Sequence, residues 1–122
     1  MQIKTDLVIF NDKVFSANTS FQSEAFYVGD YTLAAISLQF EASATTINGA
    51  FTLEASCDPI GTTPVNWETI ADSTATVSGD ADGSVFYNIS VIAFNYIRVV
   101  FTYDTASDEI TMNGKLVAKG QN

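Results

Sequence analysis

Phe51-Thr-Leu-Glu-Ala-Ser-Cys-Asp58 alternates strictly: Phe51, Leu53, Ala55 and Cys57 are apolar, while Thr52, Glu54, Ser56 and Asp58 are polar. A period of two belongs to a strand, because successive side chains leave a pleated chain on opposite faces. The same rhythm recurs on both sides of it. Ile36, Leu38 and Phe40 alternate with Ser37, Gln39 and Glu41 in the segment Thr32–Glu41. Ile97, Val99, Phe101 and Tyr103 alternate with Arg98, Val100 and Thr102 in the segment Tyr96–Asp104. Each pattern predicts one row of side chains turned into a core and one turned out.

Less regular apolar stretches at Ile3–Phe10, Ala25–Val28, Val65–Ile70 and Val85–Val91 add further strands. Between the strands lie turn-forming residues. Asn48-Gly49 fits a tight hairpin, where both central residues need positive φ. Asp58–Pro64 contains two prolines and a glycine, Ser78–Ser84 reads as a flexible loop, and Thr105–Glu109 as a third connection. Asn113-Gly114 admits two readings, a hairpin turn or the interior of one strand; the single strand is preferred, with Gly114 marking a bulge or a close backbone approach. No window carries a capped helical pattern. The expectation is an all-β chain, an antiparallel β-sandwich or jelly roll of about eight strands without significant helix. Residues 21–122 form the sandwich, and residues 1–20 are either a further strand or an arm reaching a neighbouring subunit.

The 122 residues are enough for one domain with its own core, and a hydrophobic fraction of 47% argues against disorder. Only 16% of residues are charged, and the net charge is −9. Five basic residues, Lys4, Lys13, Arg98, Lys115 and Lys119, cannot make the positive stripe that a phosphate backbone needs. Direct nucleic-acid binding and attachment to an anionic membrane are both disfavoured. A single cysteine, Cys57, rules out an intrachain disulfide. No apolar run approaches a membrane span of about 18 residues. The opening Met1–Asp6 places an acid where a signal peptide would turn apolar, so synthesis in a cytoplasm without a signal is expected.

Catalytic chemistry finds little support. Absence of histidine removes the commonest general base and most zinc sites. No glycine-rich phosphate loop is present. Cys57 sits on an apolar row and is expected to be a small buried hydrophobe. Glu41, Glu54 and Glu68 fall on outward rows, with nothing apolar around them to raise a carboxyl pKa. Asp80-Ala-Asp82-Gly83 begins like a calcium loop, but Val85 and Val91 stand where that loop needs glycine and glutamate. Asn18-Thr19-Ser20 and Asn88-Ile89-Ser90 match the glycosylation sequon and, without a signal peptide, are expected to be chance matches. No cofactor and no metal are expected. Trp67 with Tyr31, Tyr87, Tyr96 and Tyr103 would serve either as core or edge packing or as a sugar-stacking platform; packing is preferred for Trp67.

Two longer segments carry a resemblance. Asn48–Asp58, ending in Ala55-Ser56-Cys57-Asp58, is followed after a proline-containing loop by Val65-Asn-Trp-Glu-Thr-Ile70. Phe94–Tyr103, with Tyr96-Ile-Arg98-Val99, leads to Ile110–Ala118 and a closing Lys119-Gly120. This order resembles small β-sandwich structural proteins of tailed bacteriophage virions, and its architecture is also similar to discoidin-like sandwich domains. The turn Ser107-Asp108-Glu109 departs from the glycine-rich turn usual there. The resemblance implies a non-enzymatic virion protein, of the auxiliary or decoration type, that joins other shell proteins such as the major capsid protein. It also implies a homo-oligomer, with a trimer preferred. The alternative is a carbohydrate-binding module of a tail or spike. Leu7, Val8, Ile9 and Phe10, apolar and outside the resembling region, are the expected self-association patch. Arg98, opposite the apolar row, is either a fork tying strands through carboxylates or a solvated strand arginine.

Overall fold

A computed structural model describes residues 2–121 of the chain, with side chains from 4 to 120. Ten strands follow one another in it: β1 (Gln2–Phe15), β2 (Phe21–Gln22), β3 (Phe26–Tyr27), β4 (Leu33–Ala42), β5 (Ile47–Ser56), β6 (Glu68–Thr69), β7 (Ala75–Asp80), β8 (Asp82–Ile89), β9 (Tyr96–Tyr103) and β10 (Ile110–Gln121). No helix occurs among the described residues. The strands make two antiparallel sheets packed as a sandwich. One runs β1-β10-β4-β8; the other runs β2-β9-β5-β6, with β3 also on β9 and β7 also on β5. The number exceeds the expected eight because β2, β3 and β6 are two-residue pieces along the edges of β9 and β5.

The inward rows are those the alternation marks. Ile36, Leu38 and Phe40 of β4, with Met112, Leu116 and Ala118 of β10, face Phe51 and Leu53 of β5 and Ile97, Val99 and Phe101 of β9. A run of aromatic rings threads the core: Phe40 to Phe51 at 5.7 Å and Phe15 to Phe21 at 3.7 Å cross between the sheets, while Phe51 to Phe101 at 4.9 Å and Phe101 to Phe21 at 5.1 Å lie within the six-stranded one. Phe15 thus fastens β1 to the opposite sheet, beyond its ladder with β10.

Two turns expected from sequence are strand instead. Asn48-Gly49 lies inside β5, paired with β7 and β9, and the chain bends earlier, at Ser43–Thr46, where it crosses from β4 in one sheet to β5 in the other without forming a hairpin. The reason is packing. A Cβ on Gly49 would lie 2.5 Å from the carbonyl oxygen of Thr102 and 2.6 Å from Cζ of Phe101, so glycine makes room for the ring. Asn48 ties neighbours together instead of turning the chain: its Nδ2 donates to the Ala106 carbonyl at 2.7 Å, and its Oδ1 accepts from the Gly79 amide at 2.8 Å. Ser78–Ser84 is likewise no loop. It is where the chain passes from β7 in one sheet to β8 in the other, with Gly79 at φ 72° taking the bend. Of Val65–Ile70, only Glu68–Thr69 is strand.

β10 runs unbroken through Asn113-Gly114, as the preferred reading had it. A Cβ on Gly114 would sit 2.8 Å from Leu38 Cδ2, with Ile9 and Phe10 atoms at 3.5 Å. Opposite it, β1 slips register between Val8 and Phe10 and again between Phe10 and Lys13. The first slip lets two consecutive residues, Ile9 and Phe10, both point into the core, which simple alternation forbids. At the second, Asp12 adopts φ 48° and exchanges hydrogen bonds with Asn113: the Asp12 amide donates to Asn113 Oδ1 at 2.9 Å, and Asn113 Nδ2 donates to Asp12 Oδ1 at 3.0 Å.

Candidate functional site

The end of the sandwich where β5 stops and β9 starts carries the most built surface. β5 ends at Ser56, and Asp58 organises the loop that follows. Its Oδ2 accepts the amides of Val65 and Asn66 at 2.7 and 3.0 Å, and its Oδ1 accepts Asn66 Nδ2 at 2.9 Å. These bonds, the Asn66 side chain foremost, favour the ionised carboxylate and hold its pKa down to about 2. Asp58 is therefore an anionic clamp on residues 59–66, and not a proton donor for acid catalysis.

The clamp delivers Trp67 to the outer side of the six-stranded sheet. There Arg98 projects from β9 opposite Glu54 of β5. Arg98 Nε donates to Glu54 Oε1 at 2.7 Å, and Nη2 lies 2.6 Å from the same oxygen. The guanidinium lies over the Trp67 ring, 4.1 Å from its centroid. This is an ion pair capped by a cation–π contact; the two charged side chains remain only about one-fifth exposed, 18% and 22%. Of the two packing positions open to it, core or edge, Trp67 takes one outside the core, where it is half-buried. The interior is already filled by the other faces of β5 and β9. Beside it an open groove of about 770 Å³ is lined by Ala55, Cys57, Trp67, Glu68, Ile70 and Phe94, among others. Cys57 is exposed, not inward as its row predicts, because the strand has ended one residue earlier; its Sγ is 3.9 Å from the Ala93 carbonyl.

The tyrosines do not gather around Trp67. Tyr87 belongs to β8 of the other sheet, and burial pushes its phenol up to about 12. Tyr96 is buried, its hydroxyl accepting the Gly61 amide at 3.1 Å. Tyr103 closes β9 at the far end, and Tyr31 precedes β4. Among the described residues, no group of three or more His, Cys, Asp or Glu comes together to hold a metal ion.

The expected self-association patch is divided by the β1 slip. Ile9 and Phe10 are buried in the chain's own core, at 8% and 7% exposure, and Leu7 packs half-buried against it opposite Leu116. Val8 alone is exposed, at 57%, on the outer face of the four-stranded sheet. That face has a feature alternation alone did not bring out. Lys4, Lys115 and Lys119 share it with Val8, Leu33, Ala35, Val117 and Phe86, because opposite residues in the ladders β1·β10, β10·β4 and β4·β8 point the same way. Three of the five basic residues therefore stand on one face of a chain of net charge −9. The signal was in the sequence, at the outward positions of β10, but it needed the register to be read.

No protein-family model matches the chain, and no curated protein sequence does. Solved structures do match its fold. The VP2 subviral particle protein of infectious bursal disease virus superposes with a TM-score of 0.65 over 98% of this chain, at 14% identity. This chain spans about a third of that protein, 33%. The SPBc2 prophage-derived protein YomS matches at a TM-score of 0.55 and 12% identity, over 96% of this chain and 95% of that one. The coat protein of tobacco streak virus matches at 0.52 and 12%, over 98% and 86%. At these identities what is shared is the β-sandwich fold, and it is a fold that viral capsid and coat proteins use.

Proposed function

We propose that this chain is a non-enzymatic structural component of a virion, an auxiliary or decoration protein that self-associates and attaches to other shell proteins, the major capsid protein among them. The observation that carries it is the likeness of nearly the whole sandwich to virus capsid and coat proteins. The match to a prophage-derived protein of the same extent favours a bacteriophage. The surface chemistry agrees with attachment: an outer sheet face with lysines toward one end and carboxylates at the other, and a carboxylate at Asp58 committed to holding a loop. Particles purified from a phage lacking this chain should bind the added protein saturably, with copies in a simple ratio to the shell subunits. Its absence from intact particles, or no binding to deficient ones, overturns the reading.

One observation favours a second reading, a carbohydrate-binding module of a tail or spike. Trp67 is half-exposed beside an open groove with Asn66, Glu68 and Thr69 on its lining, which is the make-up of a sugar-stacking site. Against it, Arg98 already covers part of the indole. A glycan array decides between them: saturable binding abolished by Trp67→Ala supports the module.

A further inference from the structure

The four-stranded sheet has two edges, and they are built differently. β1 carries the devices that keep an edge from pairing: two register slips, a positive-φ residue at Asp12, and the charges of Lys4, Asp6, Asp12 and Lys13. β8 carries none. It pairs with β4 in unbroken register from Asp82 to Ile89, and no described strand pairs with its other side. It contains no proline and no lysine. Gly83–Ile97 is the longest stretch of the chain without a charged residue. Phe86, at its centre, is 67% exposed on the outer face. Unpaired strand backbone next to an exposed ring is a template for another strand.

We propose that β8 pairs antiparallel with β8 of a second copy, Phe86 opposite Phe86 across a two-fold axis, joining two four-stranded sheets into one. This deepens the self-association in the reading above and rests on it. The uncharged edge selects the occupant, since a second chain of net charge −9 can approach closely only along such a segment. On the outer face of each sheet Glu41 and Asp82 stand opposite one another at one end, and Lys4 and Lys119 at the other. Antiparallel pairing about Phe86 sets Asp82 of one copy opposite Ser90 of the other. The acidic end of one sheet then lies in the same cross-strand rows as the Lys119 end of its neighbour, about three strand spacings (~14 Å) away. Two chains of net charge −9 thus meet along the one long uncharged segment, with opposite charges flanking it. Ser84 falls opposite Asn88, a pair able to hydrogen-bond, and Val85 opposite Tyr87. The contact is two-fold and makes pairs.

Light scattering on the full chain tests it with variants at Phe86, whose exposure leaves the core untouched. Wild type forms a dimer in the micromolar range. F86K and F86E each keep the wild-type fold by circular dichroism but dissociate on the order of tenfold or more easily, the scale of a lost aromatic pair plus a like-charge contact. F86K mixed with F86E pairs again. In a Cys57→Ser background, Phe86→Cys oxidises to a covalent dimer, whereas Ser37→Cys, about three strand spacings from its mate (~14 Å), does not. A wild-type dimer that neither F86K nor F86E weakens overturns this contact and leaves self-association standing. A wild-type chain monomeric throughout that range overturns both, while binding to deficient particles still decides the virion reading.

Discussion

Ser73 Oγ accepts the amide of Leu53 at 3.1 Å, filling the place of a strand backbone where β6 has ended and β7 has not begun. The same hydroxyl donates to the Ile70 carbonyl at 2.7 Å, and Ser73 is only 4% exposed. On the other flank of the sheet Ser23 does the same between β2 and β3: its Oγ accepts the Val99 amide at 2.9 Å. Each central strand of the six-stranded sheet is thus satisfied by a serine at the break in its neighbour. Ser73→Ala should cost about 1–3 kcal/mol, the penalty for a buried amide left without a partner. Denaturant titration checks it. An equal loss for an exposed serine such as Ser78→Ala would show that the hydroxyl is not the cause.

Asp108 welds two connections at the far end of the sandwich. Its Oδ2 accepts the amides of Ala44 and Thr45 at 2.6 and 2.7 Å, and its Oδ1 accepts from Ser43 Oγ and the Glu109 amide. The backbone bonds from Thr45, Glu109 and Ala44 hold its pKa at about 2. Because the folded pKa lies below the unfolded one, its contribution is complete above about pH 4. It is lost as pH falls toward 2. Asp108→Asn should therefore melt below wild type at pH 7, with the gap closing between pH 4 and the folded pKa of about 2. A gap that stays constant down to pH 2 would mean the charge is not what matters.

Much of the fold was legible because burial follows a period of two. β4, β5, β9 and β10 each appear where the alternation places them, and their inward rows are the core. What escaped was set by partners distant in sequence. Asn48-Gly49 has turn chemistry, yet Phe101 needs the space above Gly49. Leu7–Phe10 reads as a uniform sticky run, yet a register slip opposite Gly114 sends Ile9 and Phe10 inward and Val8 out. Cys57 belongs to an apolar row that stops at Ser56. The ion pair of Arg98 was one of two readings open in sequence, because nothing local tells which carboxylate a ladder will bring opposite. The placement of Lys4, Lys115 and Lys119 on one face depends wholly on strand order.

Glycine at position 49 is a steric requirement, and position 114 provides the comparison. A methyl at 49 meets backbone, the Thr102 carbonyl at 2.5 Å, which cannot swing away. A methyl at 114 meets Leu38 Cδ2 at 2.8 Å, the end of a side chain that can change rotamer. Gly49→Ala should cost about 1–3 kcal/mol or more by overpacking, and Gly114→Ala less. Thermal melts of the two variants side by side check the order. The reverse order would place the tight approach on β10.

Trp67 is the residue whose role the two functional readings dispute, and its surroundings make it measurable. Arg98 covers one part of the ring at 4.1 Å while Glu54 fixes the guanidinium. The indole is half-exposed, so its emission should be intermediate, not the strongly blue-shifted emission of a core tryptophan. Trp67→Ala should cost less than the ~3–5 kcal/mol of a buried tryptophan, because most of its area is not taken from the core. Arg98→Lys keeps the charge but loses the planar group that both stacks and forks. It should shift Trp67 emission further to the red and speed acrylamide quenching, with the melting temperature lowered by a few degrees at most. Glu54→Gln should move emission the same way by a smaller amount, since it frees the guanidinium without removing it. An Arg98→Lys protein with unchanged emission and quenching would show that the stack does not form in solution. The groove face of Trp67 would then be free, as the carbohydrate reading needs.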